Sequence, residues 1–364
     1  MLNKDKKAYI MLADGSVYSG FSFGAEGEKI GEIVFATGMT GYAETLTDPS
    51  YFGQIVTQTF PLIGNYGVNA EDFESEKSVV SGYIVREYCD KPSNFRSKGD
   101  IDSFLKAQNV IGIYGIDTRA LTKKIREHGV MNGVITTNEI VNKDELLAKI
   151  NAYTIKDAVC SVTISEPREY SAENSLSVVL YDYGYKYNIR RELEKRGCKV
   201  TVVPGLTPAE DVLAMNPDGI MLSNGPGDPA ENVVPIENLK KLKKTSIPIF
   251  GICLGHQLMA LASGAKTEKL KYGHRGANQP VKDIIGDRTF VTSQNHGYAV
   301  VNDSVPEGCG RVSHVNANDG SCEGILYTDS NCFTVQFHPE ACGGPHDTAY
   351  LFDEFVGRMS NAGD

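Results

Sequence analysis

The chain has 364 residues, 41% hydrophobic and 23% charged, which is enough for two domains with cores of their own. Its net charge of −10 excludes a nucleic-acid binder that works through a basic footprint. No apolar run approaches the roughly 20 residues of a membrane helix, and MLNKDKKAYIMLADGS reads as neither a signal nor a transit peptide, so a cytoplasmic protein with eight reduced cysteines is expected.

In chain order, AYIMLADGSVYSGFSFG predicts two strands about an Asp14-Gly15 turn, and GEIVFAT predicts a third. DTRALTKKIREHG, residues 117–129, opens on a capping aspartate and ends on glycine, which predicts a helix. KDELLAKI predicts another. Residues 1–164 therefore read as a mixed α+β domain. SEPREYSAENS, residues 165–175, is polar, contains Pro167 and lacks periodicity, so it is assigned as a linker.

From residue 176 to 364 the pattern changes. LSVVLYDYG, KVTVVPG, DGIMLSNGPG and IPIFGIC read as apolar strands, alternating with the helices YNIRRELEKRGC, TPAEDVLAMN, NLKKLKK and LGHQLMALASG. That alternation predicts an α/β domain with a doubly wound, mainly parallel sheet. TFVTSQ, EGILYT and CFTVQF add strands, and DTAYLFDEFVGRM closes the chain as a helix. Cys309, Cys322, Cys332 and Cys342 form no C-x-x-C pair, and with His314 they fit no common zinc spacing, so no metal is expected. GAKT at 264–267 lacks the rest of a phosphate-loop pattern, so no nucleotide site is assigned.

Open α/β sheets bind ligands at the carboxyl ends of their strands, where three stretches stand out. Gly251-Ile252-Cys253-Leu254-Gly255 has the form of a nucleophile elbow, in which only small residues fit beside the turn. A sulfur there meets a helix N-terminus, which favours thiolate. The motif alone leaves two readings open: a reactive thiol, or a small core residue between glycines.

His338-Pro339-Glu340 offers a base and an orienting carboxylate, since residues i and i+2 of an extended segment share a face. Pro339 holds His338 extended. His256, one turn after Cys253, is the rival base, with helix packing as its alternative role. His296 and His346 rank lower, and His274 is read as part of a Gly-rich loop. SNGPGDP, residues 223–229, is either a tight loop or a source of backbone N–H groups for an oxyanion, beside the N–H of Leu254.

PIFGICLGHQ, LSNGPGDP and VQFHPEA resemble, in order, the three signature blocks of the class I (triad) glutamine amidotransferases. The resemblance implies hydrolysis of the glutamine side-chain amide to glutamate and ammonia. Cys253 would be the nucleophile, His338 would protonate the leaving ammonia, and Glu340 would orient His338. GEIVFATGMTGYAETLTDPSYFGQIVTQTFPLIGNYG, with IGIYGIDTRALTKKIREHG, resembles the first domain of carbamoyl phosphate synthetase small subunits, so the likeness spans nearly the whole chain.

That family implies glutamine contacts at Ser50, Gly225, Gly227, Leu254, Gln257, Asn295, Gly297 and Tyr298, the last often phenylalanine in relatives. It implies no cofactor in this chain, and a heterodimer with a larger synthetase subunit that takes ATP, Mg and bicarbonate. The product would feed arginine or pyrimidine synthesis. The alternatives are a non-catalytic scaffold subunit, an amidotransferase for another synthase, or a cysteine hydrolase acting alone.

Overall fold

In β1 (Lys7–Leu12) every second residue from Ala8 is buried, and the strand turns at Asp14-Gly15 into β2 (Val17–Gly24) as the sequence predicts. Gly15 takes φ +82, and Asp14 Oδ1 accepts the Ser16 N–H at 2.9 Å. The computed structural model describes residues 6–171, 176–341 and 343–361. It divides into two units, Met1–Lys156 and Asp157–Asp364.

The first unit continues through β3 (Glu28–Ala36), α1 (Tyr42–Thr47), β4 (Gln54–Gln58), β5 (Leu62–Ile63), β6 (Gly82–Ile84) and β7 (Glu87–Tyr88). Then come α2 (Ile101–Ala107), β8 (Ile111–Tyr114), α3 (Thr118–His128), β9 (Met131–Thr136) and α4 (Lys143–Ala152). The strands close a barrel in the order β1-β2-β8-β6-β4-β3-β9, with β5 and β7 paired apart. β9 lies antiparallel to both β1 and β3 and so completes the ring. α3 is the helix expected over 117–129: Asp117 caps it by accepting the Ala120 N–H at 3.0 Å, and Gly129 ends it at φ +96.

The second unit begins with α5 (Ala158–Val162) and β10 (Arg168–Tyr170). Thr163 Oγ1 donates to the Asp182 carbonyl at 2.6 Å, and the Ile164 N–H donates to the Asp182 carboxylate at 2.7 Å. These bonds hold the chain before residue 165 to the second unit. Within the stretch assigned as a linker, β10 pairs antiparallel with a strand of the main sheet, while 172–175 lie outside the described residues. A strand of three residues is too short to register as a period of two.

Then follow β11 (Ser177–Asp182), α6 (Tyr187–Lys195), β12 (Lys199–Pro204), α7 (Ala209–Ala214), β13 (Gly219–Leu222) and α8 (Val233–Leu242). After these come β14 (Ile249–Ile252), α9 (Leu254–Ala262), β15 (Thr267–Asp283), β16 (Arg288–Val300), β17 (Gly310–Asn316), β18 (Cys322–Tyr327), β19 (Cys332–Val335) and α10 (Tyr350–Asn361). The sheet runs β10-β12-β11-β13-β14-β19-β18-β17-β15-β16.

β12, β11, β13, β14 and β19 are parallel neighbours, and both of their faces are covered. Val179, Tyr181, Ile220 and Leu222 pack with Val212, Leu239 and Leu258 on one side. Val178, Leu180, Met221 and Phe250 pack with Ile189, Phe352 and Phe355 on the other. The doubly wound core is therefore present. The sheet as a whole is not mainly parallel, because β18, β17, β15 and β16 extend it by antiparallel pairing, as β10 does at the far edge. β15, which includes the stretch read as a Gly-rich loop around His274, is a strand with register shifts between Lys269 and His274 and between Gly276 and Gln279.

Candidate active site

Cys253 stands between β14 and α9 with φ 53 and ψ −102, left-handed backbone that a non-glycine residue adopts only under constraint. The flanking glycines permit the close packing around that turn. A Cβ on Gly251 would meet Thr334 Cγ2 at 2.9 Å, and one on Gly255 would meet the Leu222 carbonyl oxygen at 2.5 Å. The neighbours leave no room for a side chain at either position. The Cys253 N–H donates to the Val335 carbonyl at 2.9 Å, and its Sγ lies 3.8 Å from the Asn295 carbonyl oxygen. The Gly255 N–H is taken up by the Ser223 carbonyl at 2.9 Å, which ties the start of α9 to the β13 loop. Cys253 is 2% exposed.

His338 follows β19 by three residues, and its N–H donates to the Ser293 carbonyl at 2.9 Å. Ser293 and Asn295 are alternate residues of β16, so one strand edge sits beside both the Cys253 thiol and the His338 backbone. His338 Nδ1 is 2.7 Å from Glu340 Oε1, the i, i+2 contact expected from the sequence. Its Nε2 is buried and makes no hydrogen bond within the protein. Burial works against a charge on Glu340, yet the His338 and Lys186 contacts hold its carboxyl below the usual carboxylate range.

Lys186 Nζ, 3.7 Å from Glu340 Oε1, and Asn188 Nδ2, which donates to the Glu340 carbonyl, were not singled out from the sequence. The one sequence signal for them is their place after the carboxyl end of β11, a fourth strand end of the parallel core; the contact with Glu340 is not written in any spacing.

His256, the rival base, lacks a carboxylate partner among its hydrogen bonds. It is fully buried, its Nδ1 contacts Thr334 Oγ1 at 2.8 Å, and burial pushes its pKa down to about 3. His296 is also driven well below its ordinary value by burial, and its Nδ1 donates to the Tyr298 carbonyl at 2.7 Å. His346 lies between β19 and α10, outside these contacts.

The predicted glutamine contacts of the second unit fall on three stretches. Gly225 and Gly227 lie in the β13 loop, pinned by Asn224, whose Oδ1 accepts the Lys186 N–H at 3.0 Å and whose Nδ2 donates to the Gly184 carbonyl at 3.0 Å. A side chain on Gly225 would strike the Tyr183 carbonyl and Leu254, so the protein's own packing already demands glycine there. Leu254 and Gln257 lie on the first turn of α9, and Asn295, Gly297 and Tyr298 lie on β16. Gln257 Nε2 donates to the Tyr298 carbonyl at 2.8 Å and contacts Gln336 Oε1 at 2.9 Å, which joins two of these stretches. Ser50 belongs to the first unit, in a tight turn where Asp48 Oδ1 accepts its N–H at 2.9 Å.

Among the described residues, Cys309, Cys322, Cys332 and His314 share no cluster of metal-binding size, and Cys342 lies outside them.

Comparison with known families matches residues 10–135 to the carbamoyl-phosphate synthase small chain, CPSase domain, and residues 179–357 to glutamine amidotransferase class-I. The chain is 51% identical over 352 residues to the carbamoyl phosphate synthase small chain of Fusobacterium nucleatum, covering 97% of this chain and 98% of that one. It is likewise 51% identical over 350 residues to that of Clostridium perfringens, covering 96% and 99%, and 51% identical over 355 residues to that of Listeria monocytogenes, covering 97% of each. An elbow cysteine and a histidine–carboxylate pair, both bordering β16, preceded by the matching first domain, accord with these likenesses, and the chain belongs to the carbamoyl phosphate synthase small-chain family.

Proposed function

We propose that the chain hydrolyses glutamine for carbamoyl phosphate synthesis, with Cys253 as nucleophile, His338 as acid–base and Glu340 as its orienting carboxylate. The observation that carries this reading is the His338 ring, held through Nδ1 by Glu340 with its buried Nε2 left without a partner. In the first step His338 Nε2 takes the thiol proton and Cys253 Sγ attacks the amide carbon. The oxyanion is met by the Leu254 N–H at the start of α9 and by backbone N–H groups of the Gly225 loop. His338 returns its proton to the departing nitrogen, which leaves as ammonia from a glutamyl thioester. A water molecule, deprotonated by His338, then attacks the thioester and releases glutamate.

Ser50, Gly225, Gly227, Leu254, Gln257, Asn295, Gly297 and Tyr298 are the proposed glutamine contacts. Ammonia passes to a large synthetase chain that takes ATP, Mg and bicarbonate, in a cytoplasmic heterodimer serving arginine or pyrimidine synthesis. Among the described residues no helix is long and apolar enough to cross a membrane.

In the assembled enzyme, Cys253→Ser abolishes glutamine-dependent carbamoyl phosphate formation and leaves the ammonia-dependent reaction running. Loss of both reactions would overturn a role confined to glutamine hydrolysis, and a glutamyl thioester trapped on Cys253 would eliminate the scaffold alternative.

A further inference from the structure

Next to the predicted glutamine contacts on β16 lies a buried polar cluster that the proposed chemistry does not use. His274 on β15 pairs in register with His296 on β16, their rings edge to face with centroids 4.9 Å apart. His274 Nε2 is 2.8 Å from Asp319 Oδ2, and its Nδ1 is 3.7 Å from Glu323 Oε1. Glu323 on β18 is fully buried, and Asn316 Nδ2 donates to its Oε1 at 2.9 Å. Arg275, adjacent on β15, has its Nη1 turned to the Tyr272 carbonyl at 2.6 Å, and both it and His338 act electrostatically on His296.

His274, His296 and Glu323 stand close enough together to suggest a metal site. However, His296 Nδ1 is engaged by the Tyr298 carbonyl at 2.7 Å, and the positive charge of Arg275 acts on the same ring, which opposes a second cation there. The cluster therefore suits a proton better than an ion. The Tyr298 carbonyl accepts from both His296 Nδ1 and Gln257 Nε2, so its orientation depends on where the His296 ring sits.

We propose that Glu323 and His274 are positioning residues for glutamine hydrolysis: with Asp319 they hold the His296 ring, and through it the Tyr298 carbonyl and the 295–298 stretch against which glutamine binds. This inference rests on the assignment of that stretch as a substrate contact. Protonated His274 donates Nε2–H to Asp319 and sets its Nδ1, which has no hydrogen-bond partner among the described residues, 3.7 Å from Glu323 Oε1 as a charge contact. When the proton is lost, the buried Glu323 carboxyl, which burial already disfavours as a charge, keeps its Asn316 donor but loses its nearest countercharge, a loss costly enough to drive rearrangement. Burial opposes the charge on His274, and the Glu323 and Asp319 carboxylates outweigh it, so its pKa lies above the ordinary value. The ordered arrangement is thus present below that raised pKa and fades as pH climbs through it.

The test measures KM and kcat for glutamine hydrolysis against pH in the full-length chain assembled with its large chain, beside an NMR titration of the His274 ring. In the wild type, KM is flat below the His274 titration and rises through it, while kcat stays within about twofold. Asp319→Asn, at a half-exposed carboxylate, moves the titration and the rise in KM together to lower pH. Glu323→Gln raises KM about tenfold at constant kcat. If Glu323→Gln does not fold, Asp319→Asn carries the test alone. A KM profile that stays on the wild-type curve while the His274 titration moves overturns the inference, as does a loss confined to kcat. A wild-type complex that hydrolyses no glutamine removes the proposed function and this inference with it, whereas active enzyme with an unmoved profile removes this inference alone.

Discussion

At the scale of single residues, His338 owes its usefulness to being held from one side only. Glu340 fixes Nδ1 at 2.7 Å and leaves Nε2 as the working nitrogen. Glu340→Gln keeps the shape but can stabilise the wrong ring tautomer and no longer supports the imidazolium, so glutamine kcat/KM should fall on the order of 100-fold. Steady-state glutaminase assays on the assembled enzyme check this, and an unchanged rate would remove Glu340 from the mechanism. The pair was legible in the sequence because its members are two positions apart. Lys186 was not, because it meets Glu340 only after β11 and β19 have been brought into one sheet. His274 was missed for a different reason: the glycines at 273 and 276 mark the shifts of a bulged strand, and glycines in sequence read as a loop.

At the scale of elements, the strand–turn–helix at Cys253 works by close approach. Gly255 lies against the Leu222 backbone, where a methyl group would sit 2.5 Å from a carbonyl oxygen that no rotamer change can remove. Gly255→Ala should therefore push α9 off β13, costing about 1–3 kcal/mol and displacing both the nucleophile and the Leu254 N–H. Urea denaturation and glutaminase rate together read this. A variant with wild-type stability and activity would show that the helix start can shift freely. The alternating strands and helices of the parallel core were readable because each strand is a short, largely apolar run with core residues on both faces of the sheet. The antiparallel half was legible only in part: TFVTSQ and EGILYT fall in β16 and β18 as expected, but β15 alternates polar and apolar residues irregularly across its bulges and reads as a loop.

At the scale of the whole molecule, buried neutral histidines set a limit toward acid. His256 has its pKa pushed down to about 3 by complete burial, and burial also lowers His296 and His314. The unfolded chain takes up protons below about pH 6.5 that these folded residues refuse, so stability present above that pH is lost as pH falls toward 3. At about pH 4.5 the His256 contribution alone amounts to roughly 3 kcal/mol. Urea midpoints should drop steadily between about pH 6.5 and 4.5, less steeply in His256→Gln, and a flat profile would contradict the burial argument.

The barrel of the first unit adds a consequence in time. Its closing pairs join Tyr9 to Thr136 and Leu12 to Gly133, the opening of the unit to almost its end. No pattern along the sequence announced that closure, because the partners are so far apart. During synthesis from the N-terminus, β1 and β3 must wait without their shared neighbour until β9 leaves the ribosome. Non-local pairing of this kind makes folding slow and leaves strand edges exposed in the interval. A nascent chain stopped before Met131 is thus a ring with a gap, open to pairing with other chains.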